Sequence, residues 1–181
     1  MYKDLRHYIS SLEENNWLMR VKTEVNAELE IAEISNRMTR SNGPALLFEK
    51  VTGYTYPVLI NAFGSMERMS HALCVNNLEE IGTRIEEIIK LKAPDSLIGK
   101  IRSVPKWYNI IKSFRHKILN DGPCKEIIKK EDASLENFPV IKCYPGDGGK
   151  YITLPIVITK DPETKNRNVG MYRMQVFDAK T

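Results

Sequence analysis

Cys143-Tyr-Pro-Gly-Asp-Gly-Gly149 runs into Tyr151-Ile-Thr-Leu-Pro155, and the same stretch closes on Asn168-Val-Gly-Met-Tyr-Arg173. Pro145 to Gly149 predicts a turn, because proline presets one backbone angle and the glycines allow close backbone approach. Tyr151 to Ile158 carries Ile152, Thr153, Leu154, Ile156, Val157 and Ile158, a composition with strong strand character. Asp161-Pro-Glu-Thr164 is a second turn, and Met171 to Phe177 supplies a second strand. The expected product is one β-hairpin, with Asn168 just before its second strand and Arg173 inside it.

Two readings of these polar residues stay open on spacing alone. Asn168 offers an uncharged oxygen able to ligate a hard cation, and Arg173 a fixed fork of donors for a carboxylate, a phosphate or a flavin-type edge. Together they suit an anionic cofactor bridged by a metal. Equally, Asn168 shapes a turn and Arg173 pairs with a neighbouring strand.

Upstream, Leu5, Tyr8, Ile9 and Leu12 recur at helical spacing behind a capping Asp4, and Asn15-Asn16 ends that helix. Trp17 to Val25 alternates as a strand does. Asn26 is expected to cap a second helix whose buried face is Leu29, Ile31, Ile34 and Met38. Ser41-Asn-Gly-Pro44 stops it, since Asn and Gly tolerate left-handed angles and Pro cannot extend the ladder. Ala45 to Phe48 and Pro57 to Ile60 read as two strands joined by a hairpin-like connection, followed by helical periods over Glu67 to Leu73 and Leu78 to Leu91.

The pattern lapses from Lys92 to Pro105, which suggests a connection or domain boundary. Trp107, Ile110, Ile111, Phe114 and Ile118 form another apolar stripe, Glu126 to Ile128 reads as a strand, and Leu135 to Pro139 as a tight connection. The whole is α+β in two parts.

Lys+Arg 27 against Asp+Glu 23 leaves a net charge of +4, too small an excess to indicate nucleic acid. The stretch from Lys100 to Lys117 has basic and aromatic residues without Asp or Glu, but its aromatics lie on the apolar stripe and its bases on a solvated face. No nucleic-acid partner is expected. Cys74, Cys124 and Cys143 are far apart and lack a C-x-x-C pair, which speaks against a disulfide framework or a structural zinc site and suits a reducing cytoplasm. No apolar run has the length of a signal segment or a membrane span. Dinucleotide-binding, P-loop, HExxH and GxSxG spacings are missing, and His7, His71 and His116 read as surface or boundary residues.

Cys143 to Gly149, Ile152-Thr-Leu-Pro155, Thr159-Lys-Asp-Pro-Glu-Thr164 and Arg167-Asn-Val-Gly-Met-Tyr-Arg-Met-Gln175 closely resemble the UbiD family of reversible, non-oxidative decarboxylases that use prenylated FMN. Asp4-Leu-Arg6, Leu29-Glu-Ile31, Gly43-Pro-Ala45 and Phe48 extend the similarity to the N-terminal part. The resemblance implies an N-terminal α/β domain over 1–104. Over 105–181 it implies a linker helix and the first part of a split β-barrel that binds prenylated FMN. It makes Asn168 a ligand of a divalent metal, manganese, that bridges to the cofactor phosphate, with potassium a further candidate ion. Val169, Gly170, Met171, Tyr172 and Arg173 then line the flavin, and Arg173 joins the catalytic network.

The implied substrate is an aromatic or α,β-unsaturated acid, as in quinone biosynthesis, with a flavin prenyltransferase as cofactor supplier. Family members continue into a histidine-bearing segment, a metal-binding glutamate, a catalytic acid and an assembly domain. None lies before Thr181, so this chain alone is expected to be inactive, either as the N-terminal portion of a decarboxylase or as half of a split one completed by a C-terminal chain. The alternative expectation is a non-catalytic binding or scaffold subunit. An unpaired sheet edge would favour a homo-oligomer.

Overall fold

The computed structural model describes residues 2–90, 108, 112 and 120–181. Two compact units divide the chain: Met1–Leu78 together with Ala133–Thr181, and Glu79–Asp132. The expected boundary between residues 104 and 105 lies outside the described residues, as do Trp107, Ile110, Ile111, Phe114, Ile118 and His116.

In the first unit, helix α1 (Leu5–Glu14) begins where Asp4 accepts a hydrogen bond from the His7 amide at 2.8 Å and is closed by Asn15 at its C-cap and by Asn16, whose φ is 58°. It feeds strand β1 (Leu18–Val21). Helix α2 (Glu30–Arg40) then crosses over, and strand β2 (Ala45–Phe48) returns parallel to β1 in the register Leu18 to Ala45 and Val21 to Phe48. Strand β3 (Val58–Ile60) pairs antiparallel on the other side of β2, as the hairpin-like spacing predicted. Helix α3 (Met66–Ala72) completes the N-terminal run.

All four residues of β2 are buried, because the central strand of this sheet is covered on both faces. On one face Ala45 packs with Tyr8 and Leu12 of α1 and with Ala62. On the other, Leu46 and Phe48 pack with Ile31 of α2, Val25, Val51 and Ile60. Alternation along a strand sends neighbours to opposite faces, so four consecutive apolar residues serve two cores. Leu12, Ile31 and Phe48 are fully enclosed. The hydroxyl of Tyr8 lies 3.1 Å from both the Ala62 and Arg68 carbonyls, which satisfies a polar atom that burial would otherwise strand.

Helix α2 starts later than expected. Asn26 accepts from the Glu28 amide at 2.7 Å and so caps the preceding turn, while Leu29 occupies the cap position at a φ of 66°. Tertiary pairing overrides the local signal: Lys142 donates its amide to Ala27 at 3.1 Å and accepts from the Leu29 amide at 3.0 Å. Residues 27–29 are thereby tied to a distant segment instead of entering the helix.

That segment carries the C-terminal part onto the sheet. Ile141 packs on the core around Phe48, Lys150 donates to the Tyr54 hydroxyl at 2.7 Å, and Phe138 stacks on Tyr56 at 5.3 Å between centroids. A short 3-10 turn at Leu135–Asn137 makes the tight connection expected there.

The predicted single hairpin is two ribbons instead. Strands β4 (Lys150–Ile152) and β7 (Met174–Val176) pair with each other, and β5 (Ile156–Lys160) pairs with β6 (Arg167–Met171). Pro155, which lacks an amide proton, stands at the break after β4, and Tyr172-Arg173 makes the matching break before β7. Asn168 therefore lies inside β6, opposite Thr159, and Arg173 lies between strands.

The second unit holds helix α4 (Glu79–Ile89) and a 3-10 turn at Pro123–Lys125. Glu126 to Ile128 forms no strand: Ile127 is 78% and Ile128 68% exposed, so neither burial nor a partner supports pairing.

Candidate functional site

Asp161 closes the tip of the β5–β6 ribbon by accepting from the amides of Glu163 and Thr164 at 2.8 and 2.6 Å. This side-chain mimic of a backbone turn fixes the register that sets Thr159 against Asn168 and Lys160 against Arg167. Strand alternation then divides the expected cofactor run. Asn168 and Gly170 face one side with Val157 and Thr159, while Val169 and Met171 face the other with Ile156 and Ile158. Among the described residues, the Asn168 side chain makes no hydrogen bond and borders an open hollow at the ribbon tip with Thr159, Lys160, Asp161 and Arg167. Tyr172 lies against Gly170, where a Cβ would come within 2.6 Å of its ring.

Arg173 belongs to a different cluster, built on the β4–β7 ribbon. The Tyr144–Asp147 turn is closed twice, by the Asp147 amide donating to the Tyr144 carbonyl at 3.0 Å and by the Tyr144 amide donating to Asp147 Oδ2 at 3.1 Å. The carboxylate so fixed receives Arg173 Nη1 at 3.1 Å and Nη2 at 2.5 Å, a two-bond fork. The guanidinium carbon sits 3.7 Å from the centroid of the Tyr151 ring. Tyr151 is directly opposite Gln175 in the ladder and donates its hydroxyl to Gln175 Oε1 at 3.0 Å.

Electrostatics follows from this contact. The Arg173 hydrogen bond holds the Asp147 carboxyl below its ordinary range, and Asp147 in turn raises the Arg173 pKa, with a smaller contribution from Cys143. At neutral pH the pair is an ion pair with Asp147 largely covered, its side chain 12% exposed against 40% for Arg173.

Sequence reasoning named Asn168 to Arg173 and missed Asp147, Tyr151 and Gln175. A carboxylate placed among glycines was a signal, but nothing local tells which cation it meets. The two described histidines take structural places: His71 shares a 2.8 Å hydrogen bond with Ser11 and sits edge-on to Trp17, and His7 accepts from the Lys3 amide. No group of three His, Cys, Asp or Glu suited to a metal occurs among the described residues.

A sheet wrapped by helices, followed by β-ribbons that carry an arginine and an asparagine, defines a mixed α/β protein. Residues 9–85 match the 3-octaprenyl-4-hydroxybenzoate carboxy-lyase N-terminal domain, and residues 116–181 match the Rift-related domain of the same carboxy-lyase. The chain belongs to the UbiD family. An uncharacterized protein of Archaeoglobus fulgidus is 47% identical over 99% of the chain. The UbiD-class enzyme HmfF from Pelotomaculum thermopropionicum, in an evolved dimeric form in complex with prFMN, superposes with a TM-score of 0.74 at 29% identity over 97% of the chain. The closed form of Sedimentibacter hydroxybenzoicus vanillic acid decarboxylase gives 0.75 at 30% identity over 99%. The chain spans about 36% of the length of each of these three proteins.

Proposed function

We propose that this chain is the N-terminal, cofactor-contacting portion of a reversible non-oxidative decarboxylase that acts on an aromatic or α,β-unsaturated acid with prenylated FMN, in the manner of quinone-biosynthesis carboxy-lyases. The observation that carries the reading is the likeness, across 97% of the chain, to a UbiD-class enzyme in complex with prFMN. The donor set fits such a ligand. Arg173 stays 40% exposed beside its contacts with Asp147, Tyr151 and Cys143, and the Asn168 side-chain amide makes no hydrogen bond among the described residues.

Asn168 would supply one neutral oxygen to a divalent cation such as manganese, with its other donors coming from outside the described residues. Gly170 and Tyr172 would contact the flavin from the Asn168 side, and Val169 and Met171 through their main chain. Arg173 would hold the acid's carboxylate or a polar flavin edge by charge-assisted bonds. When bound, the prenylated flavin supplies the electron sink for carbon dioxide release.

The test is reconstitution. The chain is combined with prenylated FMN, manganese and a candidate complementing C-terminal chain, and carbon dioxide release is followed for aromatic and cinnamic-type acids. Release is expected only when both chains are present, and Arg173→Ala is expected to lower it by about a hundredfold or more. Flavin bound without turnover on any acid would replace this reading with that of a scaffold subunit.

A further inference from the structure

We propose that Asp147 and Tyr151 form a clamp that fixes the orientation of the Arg173 guanidinium, which makes Asp147 a positioning residue for the group Arg173 binds. The identity of that group, a flavin, rests on the reading above; the clamp itself rests on geometry.

An arginine guanidinium offers five N–H donors, arranged as an end edge of two terminal nitrogens and a side edge through Nε, and two faces. Asp147 takes the end edge through both terminal nitrogens at 3.1 and 2.5 Å, and the Tyr151 ring takes one face at 3.7 Å. The head also meets the Cys143 side chain and stays 40% exposed, so a ligand meets its exposed part in a single presented orientation. Both jaws are themselves held. The carboxylate is anchored to the turn by the Tyr144 amide at 3.1 Å, and the Tyr151 ring by the β4–β7 pairing and its 3.0 Å bond to Gln175.

Gly148 lies against the Gln175 side chain that holds the Tyr151 hydroxyl. A Cβ there would lie 3.1 Å from the Gln175 side-chain nitrogen, tighter than ordinary packing, so Gln175 would have to shift by a few tenths of an ångström. Gly148 leaves Gln175 its place beside the turn, and Asp147 aims the arginine. A long side chain immobilised before binding loses less conformational freedom when the ligand arrives.

The clamp is tested on the full 181-residue chain with FMN as the probe. FMN affinity is measured by fluorescence titration for the unsubstituted chain, Arg173→Ala, Asp147→Asn and Asp147→Glu. Side-chain nitrogen NMR of Arg173 reports guanidinium rotation in the same samples. Arg173→Ala is expected to abolish FMN binding, Asp147→Asn to weaken it about tenfold while guanidinium rotation speeds up, and Asp147→Glu to restore most of both. Unchanged or tighter binding by Asp147→Asn, beside a loss in Arg173→Ala, overturns the clamp and leaves the flavin reading standing. If the unsubstituted chain or Arg173→Ala contradicts the flavin reading, the NMR arm decides the clamp alone. Slow rotation released by Asp147→Asn and recovered by Asp147→Glu supports it, and fast rotation in the unsubstituted chain overturns it.

Discussion

Strand β2 and the β5–β6 ribbon have similarly apolar sequences and opposite surroundings. Ala45 to Phe48 are buried on both faces, whereas Ile156, Ile158, Val169 and Met171 stand 73, 63, 59 and 66% exposed on one face of the ribbon. The central sheet is bordered by helices on its own chain. The ribbon has no such layer among the described residues. An apolar strand acquires a structural role only when something covers it, and an uncovered one is a binding surface in waiting. The same division separates the two polar clusters. Tyr8 serves the core by satisfying buried carbonyls, while Arg173 keeps donors at the surface.

The hardest test of this contrast is Phe48→Ala, expected to destabilise the first unit by about 3–5 kcal/mol, since a fully enclosed ring leaves a cavity. Urea unfolding followed by far-UV circular dichroism measures it, and a loss near zero would break the distinction. Ile158→Ser should change stability by less than about 0.5 kcal/mol, because its side chain is already in water, yet reduce binding of an apolar dye. A large loss of stability there would mean that the ribbon face is covered.

The smallest effect is expected from pH. Asp147 titrates below the ordinary aspartate value of 3.8 in the folded chain. Its contribution is therefore fully present above about that pH and lost as pH falls through the lower folded value. Amide exchange at Tyr151 and Gln175 should quicken in that acid window and respond little between pH 5 and 8. Because Arg173 is substantially exposed, added salt should blunt the effect.

Much of the first unit was legible. Asp4 capped its helix, Asn42 took the left-handed angle that stops α2, and Ala45 to Phe48 ran apolar as a doubly buried strand must. These signals are local, set by caps, steric preference and periodicity over a few residues. The start of α2 was misread because Lys142 competes for the backbone of residues 27–29 from far along the chain. Glu126 to Ile128 looked like a strand by composition, but composition does not supply a partner.

The amino-acid sequence by itself determined the caps, turns and apolar strands, and through its motifs the family to which the chain belongs. Tertiary structure alone decided that Pro155 and Tyr172-Arg173 split one expected hairpin into two ribbons, and that Asn168 and Arg173 fall in separate clusters. It also chose Asp147 as the partner of Arg173. The reason is physical: strand register fixes which side chains share a face, and register depends on pairing between residues whose separation along the chain carries no local signature.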